Sequence, residues 1–195
     1  MEYGAYAVCR TDHTCACRQP STTNLLTQNN TKSDPGFDGT LGQWVVPTCA
    51  GCPRPLAEYD STKDADRCPI SGSAHITGDF LLGSISRCVV ASANTTYYLG
   101  YSYLIAPLDP SVMDPDSAFL DCTADMYAGT TCSGDILSSR TVDTLVKERN
   151  VSWASKMSGA FRSHYQTGSI RVSCNLRNIG EAWVDWVYLN TAESF

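Results

Sequence analysis

Ser169-Ile170-Arg171-Val172-Ser173-Cys174-Asn175-Leu176-Arg177 alternates apolar and polar side chains without a break. That period of two is what a strand shows when one face is buried and the other meets water. Upstream, Trp153 leads into Met157, Gly159 and Phe161. Downstream, the turn Asn178-Ile179-Gly180 feeds a run over 182–189 rich in the aromatic and β-branched types that suit a pleated surface. Residues 153–189 are therefore expected as strand, turn, strand, turn, strand, the closing part of an antiparallel β-sandwich.

The same reading extends toward the N-terminus. Over 97–105, Tyr97, Leu99, Tyr101 and Tyr103 fall on one side and Tyr98, Gly100, Ser102 and Leu104 on the other. Over 119–127, Leu120, Cys122, Ala124 and Met126 alternate with Phe119, Asp121, Asp125 and Tyr127. Residues 73–76 and 84–90 read as strands, Ser92-Ala93-Asn94 and Cys132-Ser133-Gly134 as turns, and the Thr and Val content of 136–146 favours strand over helix. Between Pro47 and Pro69, the cysteines Cys49 and Cys52 and the prolines Pro53 and Pro55 mark a long stapled loop with no central strand. With the pieces around Asn24 and Trp44, about nine or ten short strands result, the pattern of a sandwich or jelly roll.

At 195 residues the chain suits one main domain, 24–195, preceded by a cysteine-rich arm, 1–23, that has no apolar period. A net charge of −6 with 17 % charged residues argues against a nucleic-acid partner, which needs a basic patch. No apolar run is long enough to insert into a membrane. Ten cysteines point to an oxidising compartment, hence a secreted, extracellular or cell-surface protein. The N-terminus shows no basic segment followed by an apolar core, as expected of a processed chain or a fragment of a larger protein. Asn29-Asn30-Thr31, Asn94-Thr95-Thr96 and Asn150-Val151-Ser152 are formal glycosylation acceptors, a motif frequent by chance in such a composition.

The order of features resembles the carbohydrate-binding-module jelly rolls of the galactose-binding-like superfamily, especially the family 4/9/22-like modules of secreted bacterial proteins. Asn24-Leu25-Leu26, Gly36-Phe37-Asp38-Gly39 and Gln43-Trp44 fill the places of that family's opening piece, first turn and Gly-Trp. Ser71-Gly72-Ser73, Ser86-Arg87-Cys88-Val89, Asn94-Thr95-Thr96-Tyr97 and Trp153 match its middle. Val184-Asp185-Trp186-Val187-Tyr188-Leu189 matches its closure, with Trp186 in place of a second Asp. The resemblance covers 24–195 and implies the fold; the same sandwich serves several functions.

A sugar-binding face needs flat rings and nearby hydrogen-bonding groups. If strands 97–105, 119–127 and 169–177 share one sheet, as in the modules resembled, their outer face carries Tyr98, Asp121, Asp125, Tyr127, Arg171, Asn175 and Arg177. The plainer alternative is a polar outer face with Arg and Asp paired across strands. Trp44, Trp153, Tyr97 and Tyr101 read as core, and Trp183 and Trp186 flank a bulge at Asp185 that leaves one of them wet. The resemblance also implies a structural Ca²⁺ held from the first turn and the last strand. Asp38 and Asp185 occupy those places, and further oxygens come from carbonyls, water or the loop of Asp60, Asp64 and Asp66.

The cysteines Cys9, Cys15, Cys17, Cys49, Cys52, Cys68, Cys88, Cys122, Cys132 and Cys174 are expected in disulfides. Cys122 with Cys174 inside the core competes with Cys122 with Cys132 across a hairpin, and Cys68 with Cys88 is a further pairing. A four-thiolate zinc site at Cys15, Cys17, Cys49 and Cys52 is disfavoured by the tight first spacing. Catalysis finds little support: only His13, His75 and His164 are available, no Ser sits on a nucleophile elbow, and Asp121 and Asp125 lack an enclosing pocket. The expected function is a non-catalytic glycan- or polysaccharide-binding protein. The alternative is a structural subunit of an extracellular filament, surface layer or adhesive appendage, joined through its arm to copies of itself or to a larger secreted protein.

Overall fold

Alternation becomes strand along most of the chain. The structure is a computed structural model and describes residues 8–9, 15–16, 24–27, 37, 39–48, 55–65, 71–78, 83–106, 119–145, 152–177 and 180–192. Its strands are β1 (Val8–Cys9), β2 (Cys15–Ala16), β3 (Ala57–Asp60), β4 (Ser73–Gly78), β5 (Gly83–Val90), β6 (Thr96–Ile105), β7 (Phe119–Tyr127), β8 (Ile136–Leu145), β9 (Ala154–Met157), β10 (Phe161–Arg162), β11 (Ser169–Arg177) and β12 (Gly180–Asn190). A single 3-10 turn, Leu25–Thr27, is the only helical piece among the described residues.

Two antiparallel sheets face each other. The four-stranded sheet runs β5-β11-β7-β8; the six-stranded sheet runs β10-β6-β12-β4-β3, with β9 also on β6. Among the described residues β1 and β2 pair with each other and with no other strand. Between the sheets, Tyr97, Leu99, Tyr101, Tyr103, Val184, Val187 and Leu189 meet Ile85, Leu120, Cys122, Ile170, Val172, Cys174 and Leu176, all buried. Each large side chain so buried contributes roughly 1.5–3 kcal/mol. The Tyr101 hydroxyl crosses the gap and donates to the carbonyl of Val142 at 3.3 Å. Near the N-terminal end, Asn24 Oδ1 accepts from the amides of Leu26 at 3.1 Å and Leu189 at 3.0 Å, which pins the Asn-Leu-Leu piece to β12.

Several expectations are corrected. Strand 97–105 is β6 of the six-stranded sheet, so it does not share a sheet with β7 and β11. The segment after Trp153 breaks into β9 and β10, both on the same edge of β6, with Ser158 bridging them through bonds to both Leu99 backbone groups. Trp153 is half-buried and outside the core. The expected loop between Pro47 and Pro69 is interrupted by β3, which lies at the sheet edge, so the prolines still admit no central strand there among the described residues. A bulge does occur at Asp185, with Trp186 at φ 47°, yet Trp183 and Trp186 are both buried.

The Cys122–Cys174 bridge forms between directly opposed residues of β7 and β11. Cys88 bonds Cys132, which rules out both the Cys68–Cys88 and the Cys122–Cys132 pairings. The reason is parity: Cys88 points outward on β5, and the turn after β7 folds Cys132 back over that same outer face. Cys17, Cys49, Cys52 and Cys68 lie outside the described residues, as does Asp38, and of Cys9 and Cys15 only the backbone pairing is described.

Candidate functional site

The two outer faces of the sandwich differ in kind. On the four-stranded sheet, strand parity turns Ser86, Cys88, Asp121, Thr123, Asp125, Tyr127, Ser139, Thr141, Arg171, Ser173, Asn175 and Arg177 outward. This brings together six of the seven expected ligand residues: Asp121, Asp125 and Tyr127 from β7 with Arg171, Asn175 and Arg177 from β11. Tyr98 is not among them. It sits half-buried on the outer side of β6, opposite Asn190, on the other sheet.

Within this wall the charges are largely matched. Asp121, 1 % exposed, accepts from Asn175 Nδ2 at 2.8 Å and from Arg177 Nε at 2.9 Å. The Arg177–Asp121 pair is the cross-strand ion pair of the plainer alternative, with the carboxylate buried rather than solvated. Asp125 accepts from the Ser139 hydroxyl at 2.6 Å, and the hydroxyls of Thr123 and Thr141 meet at 3.1 Å. Tyr127 is 4 % exposed because the Arg171 guanidinium lies over its ring at 5.1 Å, and Arg171 in turn donates to the carbonyl of Cys132. The expected exposed ring at Tyr127 is therefore covered: facing outward on a strand is not the same as meeting solvent.

The six-stranded face is partly covered. Its outward set on β4 and β12 includes His75, Trp183, Asp185 and Asn190, and the loop 61–65 covers part of it. His75 stacks on Trp183 at 4.7 Å and 6°, the Trp183 indole donates to Asp60 at 2.8 Å, and Lys63 Nζ lies 5.5 Å above the ring. Burial works to raise the Asp60 carboxyl, but hydrogen bonds from Thr62 and Trp183 and the nearby His75 hold it below its ordinary value. Asp185 is fully buried and accepts from the amides of Ala65 at 3.0 Å and Trp186 at 2.7 Å. Burial, with the neighbouring Asp64 carboxylate adding to it, pushes the Asp185 carboxyl well above its ordinary value against those amide bonds.

Asp185 is also the described half of the expected calcium pair. Ca²⁺ takes six to eight oxygens. Here Asp185 and Asp64 bring two carboxylates together, and both Asp185 oxygens already accept amide protons. Among the described residues no cluster of three or more His, Cys, Asp or Glu side chains that could hold a metal occurs.

The same architecture recurs in solved structures. A family 61 carbohydrate-binding module in complex with β-1,4-galactotriose superposes over 85 % of this chain and 97 % of its own, at 15 % identity and a TM-score of 0.52. The C-terminal family 22 carbohydrate-binding module of Clostridium thermocellum Xyn10B does so over 90 % and 99 %, at 12 % identity and 0.51. The fold is a carbohydrate-binding-module-like jelly roll. It is also found in the enzymatically active domain of bacteriophage CBA120 tailspike protein 4, covering 90 % of this chain but 22 % of that one, at 9 % identity and 0.61. No protein-family model matches the sequence, and no curated protein does.

Sequence reasoning missed three features of this jelly roll. The outward set of β8, Ser139 and Thr141, was one, because 136–146 read as strand from its Thr and Val content without an assigned parity. The tether from Cys88 to Cys132 was another. The third is the turn before β11, whose Tyr165 is 67 % exposed; a turn has no periodicity to flag it.

Proposed function

We propose that the protein is a non-catalytic glycan-binding module whose contact surface is the outer wall of β5, β11, β7 and β8. The observation that carries this reading is the asymmetry between the faces: one is partly covered by the loop 61–65, the other presents hydroxyl, carboxylate and guanidinium groups from Ser86, Thr123, Asp125, Ser139, Thr141, Ser173 and Arg177. Such groups donate to and accept from sugar hydroxyls. Sharing a fold with carbohydrate-binding modules supports the reading. Asp121 and Asp125 lie four residues apart on one strand, about 13 Å, beyond the roughly 5–9.5 Å between paired glycosidase carboxylates, which favours binding over hydrolysis. Secretion is part of the proposal, supported by the two disulfides; no helix among the described residues is long and apolar enough to cross a membrane.

The test is affinity electrophoresis and polysaccharide pull-down with the full chain and with Asp125→Ala/Ser173→Ala. Binding to at least one polysaccharide, weakened in the double variant, is expected. Absence of binding across a broad panel refutes the reading.

One observation favours the second reading, a subunit of an extracellular assembly: among the described residues β1 and β2 form a two-stranded sheet of their own, joined to neither layer of the sandwich. An arm with its own pairing and three cysteines can dock on a neighbour. Disulfide-linked multimers on non-reducing gels are its expected sign, and monomer alone counts against it.

A further inference from the structure

A polar wall without an open ring lacks half of what a sugar presents, since a pyranose offers an apolar C–H face as well as hydroxyls. Among the described residues the one aromatic side chain standing mostly in solvent is Tyr165, 67 % exposed. It sits in the turn 164–167, immediately before β11. The turn stands at the end of the wall, because the Gly168 amide donates to the Tyr127 carbonyl at 2.8 Å and the Ala91 amide donates to the Gly168 carbonyl at 3.1 Å.

The turn is held on several sides. Ser163, 3 % exposed, donates through its amide to Thr95 at 2.9 Å and through its hydroxyl to Ser92 at 2.8 Å, and its hydroxyl accepts from the Thr95 amide at 3.0 Å. The Thr167 amide closes the turn onto the His164 carbonyl at 3.0 Å. The Gln166 amide donates to His164 Nδ1 at 3.3 Å. An acceptor at Nδ1 puts the proton of the neutral ring on Nε2. His164 leans on Tyr165, with ring centroids 4.3 Å apart at 37°. On the preceding strand, Arg162 spends Nε on the Asn94 carbonyl at 3.2 Å and is otherwise exposed. A solvent-facing ring on a held turn thus stands near the His164 Nε2–H, the Tyr165 hydroxyl, the Gln166 side-chain amide and the remaining Arg162 donors.

We propose that the Tyr165–His164 turn is a stacking platform that takes the apolar face of one pyranose ring of a glycan, the surrounding donors reaching its hydroxyls. The proposal rests on the glycan-binding reading above and deepens it by assigning the ring contact to the turn rather than to the sheet. The ring is open and singly stacked, so the platform adds to the wall's affinity rather than replacing it.

The test uses the full chain, first on a broad glycan array together with β-1,4-galactotriose and xylohexaose as defined probes. Every glycan that binds is then titrated against the wild type, Tyr165→Ala, Tyr165→Phe and the wall variant Asp125→Ala/Ser173→Ala. Loss of a stacking contact predicts up to about tenfold weaker binding in Tyr165→Ala. The melting temperature should stay unchanged, because the side chain supports nothing beneath it. Tyr165→Phe keeps the ring and should bind within about twofold of the wild type. Wild-type binding by Tyr165→Ala overturns the platform, and if the wall variant alone is weakened, glycan binding by the wall stands without it. No glycan bound by the wild type overturns the glycan-binding reading itself and the platform with it.

Discussion

Arg87→Met should make the protein more stable. Arg87 stands at an inward position of β5, opposite Val172 of β11 on one side and, through the Val45–Ser86 bridge, opposite Trp44 on the other. It is 3 % exposed, and its one hydrogen bond among the described residues runs from Nη2 to Gln43 Oε1 at 3.1 Å. Among the described residues Nε and Nη1 are buried without partners, and burial pushes the guanidinium below its usual pKa. A hydrogen bond from a charged donor contributes about 1.5–3 kcal/mol, while each unsatisfied buried donor costs about 1–3 kcal/mol. Methionine keeps most of the aliphatic stem, forfeits the single bond and removes both orphaned groups; Gln43 is exposed and returns to water. The balance is a gain of roughly 1–3 kcal/mol, in line with replacements of other buried charges, and a rise of about 2–4 °C in Tm per kcal/mol. Urea denaturation of wild type, Arg87→Met and Arg87→Ala reads it, the alanine variant controlling for the cavity. A loss above about 1 kcal/mol in Arg87→Met refutes the reasoning and means that the guanidinium has acceptors in solution.

Three further outcomes follow from the same coordinates. Because folding raises the Asp185 carboxyl, the native state holds more protons than the unfolded chain above about pH 4, and stability falls as pH rises through that window. Asp64→Asn removes the like charge, so in EDTA it should flatten that fall and leave the variant more stable than the wild type at pH 8; an unchanged pH profile of Tm refutes it. The Cys88–Cys132 and Cys122–Cys174 loops, of sequence separation 44 and 52, each carry an entropic stabilisation of about 4 kcal/mol. Cys88 is exposed while Cys122 and Cys174 are 0 % exposed, so mild reductant under native conditions should open Cys88–Cys132 first, as read by thiol labelling and mass spectrometry; simultaneous labelling contradicts this. A structural Ca²⁺ at Asp185 predicts a Tm that rises on adding Ca²⁺ to chelated protein, by about 2.7 kcal/mol of stability at a hundredfold excess over Kd; a flat response rules it out.

Parity along a strand is a local property, and it was legible. Tyr97, Leu99, Tyr101 and Tyr103 on β6, Leu120, Cys122 and Ala124 on β7, and Ile170, Val172 and Cys174 on β11 all point inward as the alternation requires, and the Cys122–Cys174 bridge follows from two inward cysteines in register. Which sheet a strand joins is not local. β6 and β7 are consecutive, yet they lie in opposite layers, so Tyr98 and Tyr127 share no face. Nor does an inward position guarantee an apolar residue, as Arg87 shows.

Exposure is set by what crosses a face, and this is why the candidate site was only half readable. Alternation correctly turned Tyr127 and Asp121 outward, but Arg171 from the neighbouring strand covers the first, and Asn175 and Arg177 close over the second. The cover is itself tethered: Cys132, whose carbonyl receives Arg171, is bonded to Cys88 on the strand beyond. An outward cysteine needs a partner on its own face, which already excluded the inward Cys122 and Cys174 as partners of Cys88. An open ring must therefore come from a segment nothing crosses, and a turn held by its own hydrogen bonds at the sheet's end meets that condition. Tyr165 is placed there, and the wall it adjoins supplies the hydrogen bonds a ring alone cannot.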